Sequence, residues 1–179
     1  MQGAETTAEE IQLTTTSHVV LGLINAAGEA TPYDLKQMAE VTVGNFFSIP
    51  HSQVYAEPKR LARAGYLSER REQAGRRRKH YSLTDRGRKA FSDWLDTPTE
   101  QLYSLRDPGL LKLAFGSDPV ALAEVQLPVH RARVTELQAL LTTLELAHAP
   151  AGARHVVEAG IGHEREYVRF WSKLLKEER

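Results

Sequence analysis

The sequence contains no cysteine. That excludes a disulfide framework, a thiolate-bound metal and a cysteine redox switch, and it fits a reducing cytoplasm. No apolar run approaches the roughly 20 residues needed to span a bilayer, so no membrane partner is expected. The opening stretch MQGAETTAEEIQL is acidic and polar. It has no basic segment leading into an apolar one, so a secretory signal is not expected. The seven histidines are scattered. His148, His155 and His163 do not follow the His-Glu-x-x-His spacing of a zinc site, and His163 with Tyr167 one turn on lacks a third partner. No metal, no cofactor and no enzymatic chemistry are therefore expected. Net charge is missing as well, since 23 Lys and Arg balance 23 Asp and Glu. Taken alone, that argues against a polyanionic partner.

The distribution of charge argues the other way. Between Ser52 and Ser92 stand twelve Lys or Arg against four acids, a net +8, so the remainder carries −8. A basic block inside a neutral chain is the pattern of a protein that meets a polyanion with one face. The plainer alternative is a solvated, salt-bridged surface. The 179 residues, 41% hydrophobic and 26% charged, suffice for one ordinary core or two small ones.

Periodicity predicts a first helix from about Ser17 to Ala27, with Val20, Leu23, Ile24 and Ala27 on one stripe and Gly28 ending it. Thr31-Pro32 with Asp34 reads as a capped start for a second helix to about Val41, burying Leu35, Met38 and Ala39. Residues 42–50 read as a turn whose Phe46, Phe47 and Ile49 plug the core. A third helix covers about His51–Ala64. Pro58 lies inside it, without the N–H that would bond Val54, so a kink or a division into two short turns is expected. Two strands, Tyr66–Glu72 and Arg77–Leu83, flank a glycine-containing tip, Gln73-Ala74-Gly75-Arg76. Thr84 caps a fourth helix with Phe91, Trp94 and Leu95 on its apolar face. Three helices and a hairpin with a basic tip are the order of a winged helix–turn–helix.

A short helix is expected near Gly109–Phe115, then a long one from Asp118 to about His148 that Pro128 should kink. Its seams are Val120, Leu127, Val134 and Leu141, and Ala123, His130, Leu137 and Leu144. His130 on that seam reads as a partly buried, pH-responsive interface residue. A last helix carries Val157, Ile161, Glu164, Val168, Trp171 and Leu175. Such a hairpin leaves a wide apolar stripe, and a second chain is the expected cover. The expected interface is Val134, Leu137, Leu141, Val157, Ile161, Val168, Trp171 and Leu175. The fold class is thus mainly α with a small β-hairpin. Residues 1–14 form a flexible arm, 15–97 a winged helix–turn–helix domain and 98–179 an antiparallel helical dimerisation domain.

His51, Ser52 and Gln53 stand at the start of the third helix, where base edges are read, and Gln can pair bidentately with adenine. Lys59, Arg60 and Arg63 suit phosphates or guanines. Tyr55 offers a hydroxyl to phosphate, or else packs in the core, and Ser52 doubles as a helix cap. The tip Arg76-Arg77-Arg78-Lys79 is the sharper signal. Four adjacent cations repel one another, while against phosphates each releases counterions.

The string SQVYAEPKRLARAGYLSERRE…GRRRKHYSLTDRGRKAFSDWL resembles the winged-helix domain of PadR-family transcriptional regulators, through Val54-Tyr55, Leu61, Gly65 and Tyr81-Ser82-Leu83-Thr84-Asp85-Arg86-Gly87. Ser17–Ile24 is similar to that family's first helix. Glu57-Pro58-Lys59-Arg60-Leu61 resembles a branch with virulence-activator-like helical C-terminal domains. The resemblance implies a homodimer on a near-palindromic DNA operator, usually repressing, and in many members released by a small-molecule effector in an aromatic-lined cavity. Trp94 and Trp171 would be the candidates for that cavity, or else core packing. A winged-helix module that binds protein or RNA is the alternative.

Overall fold

The computed structural model describes residues 11–44, 46–47, 49–73 and 77–177. The chain divides into two compact units, Met1–Gln101 and Leu102–Arg179.

The first unit begins with α1 (Thr15–Ala27), β1 (Glu29–Ala30) and α2 (Pro32–Thr42). Both helices open on reciprocal caps. Ser17 N–H donates to Thr14 Oγ1 at 3.2 Å while Thr14 N–H donates to Ser17 Oγ at 2.8 Å. Thr31 and Asp34 repeat the device, with Pro32 in the first turn. These bonds hold the Asp34 carboxyl below its usual range, the Thr31 N–H first and the Thr31 hydroxyl second. Gly28, at φ +76°, closes α1 in a conformation that a side chain would strain.

Next come α3 (His51–Arg63), β2 (Leu67–Arg71), β3 (Lys79–Leu83) and α4 (Asp85–Asp96). The sheet has three strands, in order β1-β3-β2, all antiparallel. The third is β1, where Glu29 and Ala30 pair with Ser82 and Tyr81. Two residues show no alternation, which is why it was not expected. The core gathers Val20, Leu21 and Ile24 of α1, Leu35, Val54, Leu61, Tyr81 and Leu83. Each such aliphatic side chain contributes about 1.5–3 kcal/mol of burial.

Several expectations need correction. The helix containing Pro58 does not divide: α3 runs unbroken, and the proline ring is among the most deeply buried side chains. Burial of that ring offsets the missing bond to Val54. Phe46 is 61% exposed and plugs nothing, and Phe47 is half-buried, leaving Ile49 alone of the three against the core. Leu95 is exposed, because the inner side of α4 is carried by Ala90 and Phe91. Residues 11–14 are no free arm, since Ile11 and Leu13 pack on the core. Residues 1–10 lie outside the described residues.

The motif Tyr81–Gly87 has a local explanation. Thr84 Oγ1 accepts from Gly87 N–H at 3.1 Å and donates to Gly65 O at 2.7 Å, joining the start of α4 to the end of α3. A Cβ on Gly87 would stand 2.1 Å from Tyr66 O, so only glycine allows this crossing. Arg86 caps the same corner, 4.3 Å over the Tyr66 ring and bonded to Ala64 O.

The second unit holds α5 (Pro108–Ala114), α6 (Pro119–Leu146) and α7 (Ala151–Glu177). Ala123 and Leu127 of α6 pack with Trp171, while Leu137 packs with Val157 and Ile161, so the two long helices run antiparallel. Like α3, α6 passes through its proline, here the exposed Pro128, without ending. The expected interface needs revision. Leu137, Val157, Ile161 and Trp171 are buried within this single chain, and Val134, Leu141, Val168 and Leu175 are half-buried. Ala123, Leu127, Leu137 and Leu141 of α6 face Val157, Ile161, Val168, Trp171 and Leu175 of α7 and form the hairpin's own core with them. His130 meets Glu164 across that seam, Nδ1 to Oε2 at 2.5 Å.

Candidate nucleic-acid interface

The cap residue of α3 is Pro50, without a side-chain cap bond. Ser52 is therefore not a cap, and His51, Ser52 and Gln53 form an exposed polar first turn. Gln53 Oε1 accepts the Thr16 hydroxyl of α1 at 3.2 Å. His51 Nε2 lies 3.5 Å from Glu40, which also meets Lys36. Tyr55 is 48% exposed, so it is a surface residue rather than a core one. Lys59 and Arg63 are exposed farther along α3 and have no ion pair among the described residues.

Arg60 departs from expectation. Its Nε and Nη2 donate to both Glu57 oxygens at 2.9 and 2.6 Å, its Nη2 also reaches Ser17 Oγ, and its Nη1 reaches Gln12 O. Ser17 is fully buried and donates to Glu57 Oε1 at 2.6 Å. Burial pushes the Glu57 carboxyl up, but the bonds from Arg60 and Ser17 outweigh it and leave the group below its ordinary value. Arg60 thus braces α3 against α1 and is not free for DNA. A bidentate carboxylate satisfies the guanidinium in the geometry it prefers.

The hairpin is laced the same way. Arg70 pairs with Glu29, His80 with Glu72, and Lys79 with Glu69 at 2.6 Å. Glu69 also accepts the Tyr81 hydroxyl, and burial first, then this bond, pushes Tyr81 up to about 12. Lys79 is therefore a strand-pairing residue rather than part of a free cationic tip. Arg77, at φ +49°, and Arg78 are exposed and have no ion pair among the described residues. Arg76 lies outside the described residues. Of the +8 block, Arg60, Arg70, Lys79, Arg88 and Lys89 are thus engaged with carboxylates.

Between these elements lies a cleft of about 520 Å³, lined by Thr31, Pro32, Tyr33, Tyr55, Arg78 and Lys79. Sequence reasoning missed Tyr33, which lies in the first turn of α2 between Pro32 and Asp34, because nothing in the local pattern distinguishes it.

The two tryptophans have different surroundings. Trp94 stacks on His18 at 4.9 Å and 8° and flanks Phe91, keeping one part of its surface open. Burial holds His18 below the usual histidine value. Trp171 is fully buried in the hairpin and has no face open to a ligand. That corrects its place in an effector cavity, since the large ring is what fills the space beside Ala123 and Gly109.

The family model for PadR-like transcriptional regulators matches residues 20–93, from α1 into α4. The negative transcriptional regulator PadR of Bacillus subtilis (strain 168) is 28% identical over 172 residues, 88% of this chain and 94% of that protein. Residues 20–93 thus match the PadR-like family of transcriptional regulators, and the chain is similar to PadR along most of its length. The crystal structure of Bacillus subtilis PadR in complex with operator DNA matches this PadR-like chain with a TM-score of 0.80. Identity is 27%, over 93% of this chain and 99% of that one. Bacillus subtilis PadR in complex with p-coumaric acid gives 0.73 at 26% identity, over 92% and 97%. The Vibrio cholerae virulence activator AphA shares the fold, with a TM-score of 0.67 at 21% identity over 91% and 97%. These matches take in the helical second unit, beyond the span of the family model.

Proposed function

We propose that this PadR-like regulator is a cytoplasmic repressor, without enzymatic activity, that binds a near-palindromic operator as a homodimer and leaves it when a small phenolic acid binds. One observation carries the reading. The exposed polar first turn of α3 stands in the same unit as two exposed wing arginines, Arg77 and Arg78, whose guanidinium groups make no direct ion pair among the described residues. A protein surface gains little from such cations, whereas duplex phosphates give them partners. Ser52 and Gln53 take base edges, and His51, Tyr55, Lys59, Arg63, Arg76, Arg77 and Arg78 take the backbone. Residues 15–97 are the DNA-binding domain and 98–179 the dimerisation domain. Exposed apolar residues of the second unit, Leu111, Phe115, Val125 and Val129, suit the dimer contact better than the seam. The operator and p-coumaric acid complexes of Bacillus subtilis PadR support the DNA and effector arms. Among the described residues, no helix is long and apolar enough to cross a membrane.

The test is a gel shift on the region upstream of its own gene, with and without p-coumaric acid, across a salt series. Salt-dependent binding that the acid reverses is expected. Absence of such binding to any duplex overturns the regulator reading. Binding that millimolar acid leaves unchanged overturns the effector arm alone.

A further inference from the structure

We infer that the cleft between the start of α2, Tyr55 of α3 and the Arg78–Lys79 end of the wing seats one deoxyribose–phosphate unit of the operator backbone, with Tyr33 as its α2 wall. The inference rests on the regulator reading and adds to it a contact element outside the recognition helix and the wing. The cleft, about 520 Å³, falls within the range of roughly 300–1,000 Å³ that accommodates small ligands, and a nucleotide unit fits it. Its lining divides by chemistry. Pro32 and the two tyrosine rings offer carbon surface of the kind that packs on a sugar. The phenol hydroxyls and Arg78 offer donors of the kind that take phosphate oxygens.

Tyr33 is prepared for this role. Gln37 Nε2, one turn along α2, donates to its hydroxyl oxygen at 2.8 Å, so the phenol proton is free to donate outward. The ring is 56% exposed, and the fold gains little from holding it there. The charges agree as well. The Lys79 ammonium is neutralised by Glu69, while the Thr31 N–H and hydroxyl, at 2.9 and 2.8 Å, fix the Asp34 carboxylate at the start of α2. Arg78 lines the cleft with its guanidinium in no direct ion pair among the described residues, and Asp34 and Glu72 are the carboxylates that feel its charge.

Duplex DNA is favoured over a free anion by the openness of the walls. Of the six lining residues only Thr31 is buried, and its hydroxyl is already engaged. A small anion gains little from so solvated a site. A phosphate held in place by neighbouring contacts along the same backbone does not need enclosure.

The test uses the full chain and a duplex selected from a random pool. Arg78→Ala weakens binding about tenfold and flattens its salt dependence, and Tyr33→Phe weakens it about threefold to fivefold. Both leave base preference unchanged. Because Tyr33→Phe keeps the ring, a matching thermal transition separates contact from folding. Methylphosphonate replacement, one phosphate at a time, finds a position that weakens the unaltered protein about tenfold but leaves the Tyr33→Phe, Arg78→Ala double variant no weaker. The inference is overturned, and the regulator reading kept, if both variants match the unaltered protein at every phosphate while Gln53→Ala still loses affinity. Saturable binding of thymidine monophosphate that duplex does not displace also overturns it. No duplex binding by the unaltered protein overturns both.

Discussion

The two units use charge to different extents in joining their elements. In the second unit, ion pairs are mostly between neighbours on one helix, such as Arg133 with Glu136, Arg169 with Glu166 and Lys173 with Glu177. Exposed pairs of that kind contribute about 0–1 kcal/mol and dress a hairpin that apolar burial holds together. The first unit has such same-helix pairs too, but others join different elements: Glu29 of β1 to Arg70 of β2, Glu69 of β2 to Lys79 of β3, and Ser17 of α1 to the Glu57–Arg60 pair of α3. There, pairing positions the backbone, and the arginines it leaves over stand out. A count of basic residues says where a polyanion could bind. The pairing pattern says which of them are free to bind it.

This contrast can be broken at several points. The largest effect is expected at Gly87, where even alanine brings Cβ within 2.1 Å of Tyr66 O. Gly87→Ala should destabilise the first unit by more than about 4 kcal/mol and abolish DNA binding, read by chemical denaturation. A mild effect would show that the α3–α4 corner can open. In the second unit the equivalent keystone is apolar. Trp171→Ala, at a fully buried site, should cost about 3–5 kcal/mol in the same measurement.

Glu57→Gln comes next, with an expected loss of about 1–2 kcal/mol near neutral pH, because one charge of a half-buried pair is removed. The sign of its pH dependence follows from the depressed carboxyl. Stability from Glu57 is fully present above its ordinary value of 4.5 and is lost as pH falls below it. The unaltered protein should therefore lose part of its stability below about pH 4.5 that Glu57→Gln does not. DNA affinity should fall with stability while the salt slope stays, unlike a phosphate contact. A flattened slope would return Arg60 to the DNA interface.

The smallest effect on folding, within about 0.5 kcal/mol, is expected at Val129, which is 59% exposed on α6. Val129→Glu should nevertheless convert dimers to monomers in light scattering. Dimers that persist would move the contact elsewhere on the second unit.

Much of the first unit was legible because its signals are local. Thr31-Pro32 with Asp34, Gly28 as a helix stop and the glycine-containing hairpin each act within a few residues. Pro58 misled for the opposite reason. Its cost is local, whereas its compensation is burial among residues distant in the chain. Arg60 looked like its neighbours Lys59 and Arg63. Only Ser17, forty-three positions away, decides that it faces α1. Tyr33 carried no signal until the wing was seen beside it.

Sequence alone was enough for the winged-helix order of elements, the capped helix starts, the PadR-like resemblance and the basic block, because periodicity, caps and turn residues are near-neighbour effects. Tertiary structure decided which cations are free, where the α6–α7 seam is covered and which aromatics are surface. Those answers depend on partners brought together from far along the chain. Charge and hydrophobicity are properties of single residues, while neutralisation and burial are properties of pairs in space.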